Sequence, residues 1–386
     1  MTTTTAADVD YRAVGRRIAR EFAAPNAADV DVSARFPEEA FAALREERLL
    51  SAMIPVELGG LGASVSDMAA VTEELARACS STAMVFAMHQ IQIAILTRHG
   101  RTDHIQGLLR EISADQLLCA SATTEVGIGG DLRSSLCAVE VHDGEFELVK
   151  QAPVISYALE SQLLMVTARR TPDSPPGDQV LVVLRTAETT LEPTTTWDTL
   201  GFRGTCSPGF VLRGRATVEA IASDPYTDIS ARSMLPVAHI LWGHVWLGMA
   251  SQAFSVARSF VRAAARAKPG TTPPGAARLA DLSVVHQQMG EVVRSATRLY
   301  EEVKDDADAQ GAMSYTVAMN NVKVSSSNLL IDIVSRAMVI TGIAAYREDS
   351  PYSLGRLLRD AWGAPLMVNN DRILGNSAQL LLVSKD

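Results

Sequence analysis

Thr124-Glu125-Val126-Gly127-Ile128-Gly129-Gly130-Asp131 is a glycine-rich loop set where the character of the chain changes. Upstream, from Asp10 to about Ala120, apolar residues recur at helical spacing. Pro37 opens a helix carrying Phe41, Leu44 and Leu49-Leu50, a second long helix runs from about Val65 to Ala78, and Thr82 to Leu96 is apolar nearly all round, the pattern of a helix buried on every side. Downstream, Cys137 to Lys150 alternates about the turn His142-Asp143-Gly144. Leu163 to Ala168 and Gln179 to Leu184 are short apolar runs bounded by Pro, Gly and Asp clusters, the marks of strands. The loop therefore separates a helical unit from a β-rich one.

Further out, a strand near Phe210-Val211-Leu212 closes the β-rich region, and from about Ser230 helices return. Three long ones are read at about Ser233 to Ala267, Ala276 to Ala307 and Ser314 to Thr341, parted by the Pro/Gly/Thr linker 268–275 and by Gln310-Gly311. Helices of that length indicate an antiparallel bundle. The predicted fold is mainly α with a central β-domain: a helical bundle over 1–120, a small β-barrel or sandwich over 121–225, and a four-helix bundle over 226–386.

With 386 residues and 47% hydrophobic content the chain buries a large core. Its 44 acidic against 35 basic residues, a net charge of −9, argue against nucleic acid or a basic membrane-binding face. The N-terminus lacks the basic and apolar pattern of a signal peptide, and no uninterrupted apolar stretch has the length of a membrane span. Cys79, Cys119, Cys137 and Cys206 are too scattered for a disulfide framework or a zinc site, so no metal is expected and a reducing cytoplasm fits.

Several motifs fall in the order found in the acyl-CoA dehydrogenase superfamily, which the chain resembles along nearly its whole length. Pro55-Val56-Glu57-Leu58-Gly59-Gly60-Leu61-Gly62 resembles the P-x-E-x-G-G-x-G loop, and the stretch Thr124 to Asp131 resembles T-E-P-G-x-G-S-D. Val154-Ile155-Ser156 stands where the family has W-I-T, Leu200-Gly201-Phe202-Arg203-Gly204-Thr205 resembles L-G-x-R-x-T, and Arg359-Asp360-Ala361 matches R-D-A. The resemblance implies FAD, held by Thr124, Gly129, Gly130, Val154, Ile155, Ser156, Gly342 and Asn370, with substrate near Gly130, His239 and Val368. Physical chemistry agrees: glycines let backbone N–H groups approach a flavin ring or pyrophosphate, and a Ser hydroxyl can bond flavin N5 or O4.

The departures concern the base. Family members take an α-proton with a Glu that, counted from Arg359-Asp360-Ala361, falls at Val368; the alternative location, counted from Leu247-Gly248, falls at Ala238. Neither is a carboxylate. The R-x-x-F-G segment is replaced by Arg266-Ala267-Lys268-Pro269-Gly270, and the Q-x-x-G-G-x-G-Y loop that meets the neighbouring subunit's FAD has decayed to Val339 through Tyr346. Phe86-Ala87-Met88-His89 and the segments Met234-Leu235-Pro236 and Leu247-Gly248-Met249-Ala250 resemble instead the flavin monooxygenases of this fold, where a His and a Ser stabilise the hydroperoxyflavin. His89 and Ser156 match that pair, but no His follows His286 to supply the C-terminal histidine of those enzymes.

Catalytic candidates are thus His89, Ser156 and Asn369, each with a plainer reading: His89 as a core histidine, Asn369, Asn370 and Asp371 as caps of the last helix, Glu125 as a loop-positioning carboxylate, and Trp242, Trp246 and Trp362 as packing. The leading expectation is an FAD-dependent oxidoreductase acting on an acyl thioester of coenzyme A or a carrier protein, forming a homodimer or homotetramer and using an electron-acceptor flavoprotein or a flavin reductase. The alternatives are a monooxygenase using hydroperoxyflavin and a non-redox flavin enzyme that cyclises or isomerises a thioester.

Overall fold

In the computed structural model, which describes residues 9–129, 131 and 133–383, helical periodicity gives α1 (Tyr11–Ile18), α2 (Ala24–Val32), α3 (Glu38–Glu46), α4 (Val65–Ala78), α5 (Ser80–His99) and α6 (Asp103–Asp115). The start of α4 is fixed by a capping box: the Asp67 N–H donates to Ser64 Oγ at 3.1 Å and the Ser64 N–H to Asp67 Oδ2 at 2.8 Å. Helix α5 is buried on nearly every side, as its unbroken apolar run requires.

Strand β1 (Cys119–Ala122) falls at a place read as the tail of the helical region. Gln116 adopts a left-handed conformation and ends α6, and the short run Cys-Ala-Ser-Ala carries too little alternation to announce a strand. It pairs in parallel with β4 (Leu163–Arg169), which is antiparallel to β5 (Gln179–Arg185). The second sheet is antiparallel, in the order β2 (Glu140–His142), β3 (Glu145–Ala152), β7 (Phe210–Thr217), β6 (Thr190–Pro193). Asp143 and Gly144, both at positive φ, make the predicted tight turn between β2 and β3. Along β3 every second residue is buried, so Phe146, Leu148, Lys150 and Ala152 face inward.

After β7 come α7 (Tyr226–Ile229), a π-helical turn Ser230–Met234, α8 (Leu235–Ala267), α9 (Ala276–Val303), α10 (Ala307–Gly311), α11 (Met313–Thr341), α12 (Ile343–Tyr346), α13 (Gly355–Ala361), α14 (Gly363–Leu366) and α15 (Asn370–Val383). The long helices α8, α9, α11 and α15 form the C-terminal bundle. By length and composition α11 could cross a membrane, yet it buries Asn320, Lys323, Ser326 and Ser327 inside this bundle.

Two of the motifs hold each other. The Phe202 N–H donates to Asp360 Oδ1 at 2.6 Å, and Arg359 Nη1 donates to the Leu200 carbonyl at 3.1 Å. Gly201 is required there: a Cβ would lie 2.5 Å from the Arg359 carbonyl oxygen. The R-D-A and L-G-x-R-x-T segments are therefore one joint between the C-terminal bundle and the β-domain.

Candidate functional site

Glu125 fixes the loop that opens the β-domain. Its Oε2 accepts from Ser135 Oγ at 2.7 Å, the Leu136 N–H at 3.1 Å and Lys150 Nζ at 3.2 Å, while Oε1 accepts from the Cys137 N–H at 2.7 Å. Burial alone would raise its pKa, but the Lys150 ammonium and these hydrogen bonds outweigh burial and hold it below the usual carboxylate range. Lys150, wholly buried on the inward face of β3, also donates to the Thr167 carbonyl at 2.7 Å. Glu125 is a positioning carboxylate with no capacity left to act as a base.

From β3 the chain runs on through Val154-Ile155-Ser156. Val154 and Ser156 line a large cavity, whereas Ile155 turns into the core with its N–H given to the Pro208 carbonyl at 3.0 Å, so it is not the contact expected of it. Thr124, also on the wall, donates its hydroxyl to the Val154 carbonyl at 3.2 Å. Ser156 Oγ accepts from Ser207 Oγ at 2.8 Å, and Ser207 Oγ lies 2.8 Å from Thr205 Oγ1. This three-hydroxyl row leaves the Ser156 proton free to donate into the cavity.

The cavity measures about 1270 Å³ and lies where the β-domain, α5 and the C-terminal helices meet. Helix α5 contributes Met84, Met88, Ile91 and Gln92, a stripe at i, i+4, i+7 and i+8. Helix α8 contributes Leu235, Ala238, His239 and Trp242 at i, i+3, i+4 and i+7, preceded by Ser230 and Met234 of the π-turn. Helix α15 adds Arg372, Asn376 and Gln379. Val368 and Ala238, the two places where a carboxylate was missing, both sit on the wall. Among the described residues lining the cavity Asp131 is the one carboxylate, and it is paired with Arg133 at 3.1 Å. Val368 is a β-branched residue held at φ +48°, a left-handed conformation that costs such side chains on the order of 1–2 kcal/mol.

His239 and His89 part company. His239 Nδ1 donates to the Met319 carbonyl at 2.9 Å, which leaves Nε2 as the acceptor nitrogen of a neutral ring on the cavity wall. Burial pushes its pKa down to about 4. His89, one residue off the α5 stripe, points away from the cavity: Nε2 donates to the Leu50 carbonyl at 2.7 Å and Nδ1 accepts from the Cys119 N–H at 3.1 Å. With burial driving its pKa to about 4 and both nitrogens taken, it joins the loop after α3 to β1. The catalytic expectation for His89 is corrected to a structural one.

Other expected residues also fall outside the cavity wall. Asn369 Oδ1 accepts from the Asp371 N–H at 2.9 Å at the start of α15, a capping role. Asn370 Oδ1 accepts from Lys323 Nζ at 2.6 Å, and its amide donates to Ser327 Oγ at 3.0 Å. Gly342 ends α11 at φ +67° and is not among the residues lining this chain's cavity. Gly129, at φ +60°, lies beside the wall, where a Cβ would sit 3.8 Å from Arg372 Nη2. Gly130 lies outside the described residues.

Sequence reading passed over Gln92, Ser207 and Arg372, and took Trp242, which lines the cavity, for packing. The signal for Gln92 and Trp242 was the stripe each helix turns to the cavity, and Arg372 keeps helical spacing with Asn376 and Gln379 on α15; Ser207 lies in a segment with no periodicity. Among the described residues no group of three or more His, Cys, Asp or Glu side chains could hold a metal ion.

Comparison with known proteins agrees with this layout. The model of the acyl-CoA dehydrogenase N-terminal domain matches residues 5–138 and that of the acyl-CoA dehydrogenase C-terminal domain residues 230–367. The chain belongs to the acyl-CoA dehydrogenase superfamily, a family of flavoenzymes. Similar proteins include the "Probable FMNH2-dependent monooxygenase SfnC" of Pseudomonas putida, 28% identical over 351 residues that cover 86% of this chain and 85% of that one. Dibenzothiophene monooxygenase of Rhodococcus erythropolis is 25% identical over 356 residues, covering 87% and 85%. Among solved structures, FMN-bound TdsC from Paenibacillus sp. A11-2 matches with a TM-score of 0.84 at 18% identity over 97% of both chains.

The residues present fit a flavin. At about 1270 Å³ the cavity exceeds the roughly 300–1,000 Å³ of a single-ligand pocket, enough for a ring system and a substrate together. Its walls are mostly apolar, and Ser156 presents a spare hydroxyl proton at one edge.

Proposed function

We propose that this chain is a monooxygenase that takes reduced flavin from a separate flavin reductase and, with molecular oxygen, oxygenates a small, largely apolar substrate. The observation that carries this reading is the cavity wall without a free carboxylate: Val368 and Ala238 occupy both places a base would hold, and Asp131 is neutralised by Arg133. Abstraction of an α-proton from an acyl thioester has no carboxylate to receive the proton, and the His239 imidazole, its pKa driven down to about 4 by burial, is a poor substitute. Oxygen transfer needs none there, and the monooxygenases named above are similar over most of their length. Acyl-thioester dehydrogenation, the leading expectation, gives way to its alternative.

Reduced flavin with oxygen supplies the oxygen-transferring reagent. The chain's own part is to exclude water with the apolar stripes of α5 and α8, to offer the Ser156 proton to the flavin edge, and to hold the substrate against that edge. FMN suits this reading better than FAD, since the R-x-x-F-G and Q-x-x-G-G-x-G-Y segments that contact FAD in the family are replaced here. Assembly as a homodimer or homotetramer belongs to the same proposal, supported by the exposed Val339, Ile343 and Tyr346 around Gly342.

The test supplies FMN or FAD, a flavin reductase and nicotinamide cofactor, and follows product mass in 18O2. Label from oxygen in a heteroaromatic product, with no anaerobic bleaching of bound flavin by butyryl-CoA, is the expected result. Bleaching by the thioester would overturn it. Ser156→Ala is expected to weaken FMN binding roughly fivefold to tenfold, the worth of one hydrogen bond, measured by quenching of flavin fluorescence.

A further inference from the structure

One wall of the cavity carries a polar group whose direction is set by the backbone. His239 lies on α8 between Leu235 and Trp242 on the cavity stripe, and only 3% of it is exposed. Its Nδ1–H is fixed on the Met319 carbonyl of α11 at 2.9 Å, so the ring cannot turn over without breaking that bond. Nε2 then presents a lone pair, and among the described residues no group bonds to it. The Lys323 ammonium nearby further disfavours a proton on this ring, after burial itself. The wall around Nε2 holds Ala238, whose small side chain leaves room, and the flat face of Trp242, tilted at 6.2 Å from the imidazole.

We infer that His239 is a specificity-determining residue: its Nε2 accepts a hydrogen bond from an N–H or O–H of the substrate, so this site selects flat heteroaromatic molecules that bear such a donor over isosteres that lack it. The inference deepens the proposed function and rests on that reading of the cavity for its substrate, but its test needs neither oxygen nor reduced flavin. A buried acceptor facing an apolar isostere is left unpaired, which is how a site of this kind discriminates. No proton is transferred; the imidazole remains neutral throughout.

Indole and 1-benzothiophene share a bicyclic outline and differ in offering N–H or sulfur at one ring position. Calorimetric titration of each into the full chain, saturated with oxidised FMN, should show indole bound roughly fivefold to tenfold more tightly, the worth of one neutral hydrogen bond. In His239→Phe, which keeps an aromatic ring and loses the acceptor, the preference should vanish. In His239→Gln, whose amide N–H can keep the Met319 carbonyl while its oxygen faces the cavity, part of it should return. Equal affinity of the two probes for the wild-type chain, failure of both to bind, or a preference that survives in His239→Phe would overturn the inference. If His239→Phe does not fold, the wild-type ratio and the Gln variant still decide. A positive ratio with no oxygen incorporation in the assay above would sink the monooxygenase reading alone, so the two fail separately.

Discussion

Replacing Glu125 by Gln should unlock the loop that opens the β-domain, and the size of the effect follows from its contacts. Gln is isosteric but neutral, so the wholly buried Lys150 ammonium loses its counter-charge and is left with neutral acceptors, the Thr167 carbonyl at 2.7 Å and hydroxyl at 3.3 Å among them. Breaking one side of a buried ion pair costs about 3–5 kcal/mol. With an unfolding entropy of about 2.1 cal/mol/K per residue, 4 kcal/mol in a cooperative unit of 386 residues is a fall in Tm of about 5 °C. Adding Lys150→Met removes the stranded charge and should recover about 2–3 kcal/mol of this, leaving the cost of the weakened bonds to the Ser135 hydroxyl and the Leu136 and Cys137 amides. A double-mutant cycle by urea denaturation measures the coupling. Because the Glu125 pKa is lowered in the fold, its contribution is present above the unfolded carboxylate pKa and lost as pH falls through the folded value, a dependence the Gln variant should lack. A coupling below about 0.5 kcal/mol, with the two losses simply adding, would refute the claim that this pair pins the loop.

Val368→Gly relieves a β-branched side chain at φ +48°; against the added chain entropy, a gain of up to about 1 kcal/mol is expected in chemical denaturation, and a loss would show the conformation to be unstrained. Lys323→Met should leave the fold about 1 kcal/mol more stable at pH 7. Burial lowers the lysine from 10.5 to about 8, worth about 3 kcal/mol, against about 1 kcal/mol each for its bonds to the Ala364 carbonyl and Asn370. Since the unfolded chain holds this proton between pH 8 and 10.5 and the folded one does not, the wild type should gain on the variant as pH rises through that window. Parallel stability profiles would contradict this.

The helices were legible because each keeps one period over many residues; α4 was read at its observed ends and the three long C-terminal helices within a few residues. Strand β1 was not, because Cys119–Ala122 is short, small-sided and has no polar alternation. At the site, counting from Arg359-Asp360-Ala361 and Leu247-Gly248 brought Val368 and Ala238 to the same cavity, a register that backbone periodicity preserves. His89 misled for a physical reason. On a helix buried all round, sequence offers no polar face to tell which way a side chain turns, and the bonds that capture this ring come from the backbone at Leu50 and Cys119, where side-chain identity carries no signal. The hydroxyl row escaped notice because Ser156 and Ser207 meet only across the folded β-domain.

The cavity is walled by segments as distant in the chain as Met84 and Gln379. An unfolded chain therefore has nothing resembling a binding site, and any molecule that fills the space favours the native state by mass action alone, by about 2.7 kcal/mol at a hundredfold excess over its Kd. Melting temperature becomes a reporter of occupancy that is blind to chemistry: flavins, heteroaromatics and thioesters can be ranked by the degrees they add, before any turnover is known.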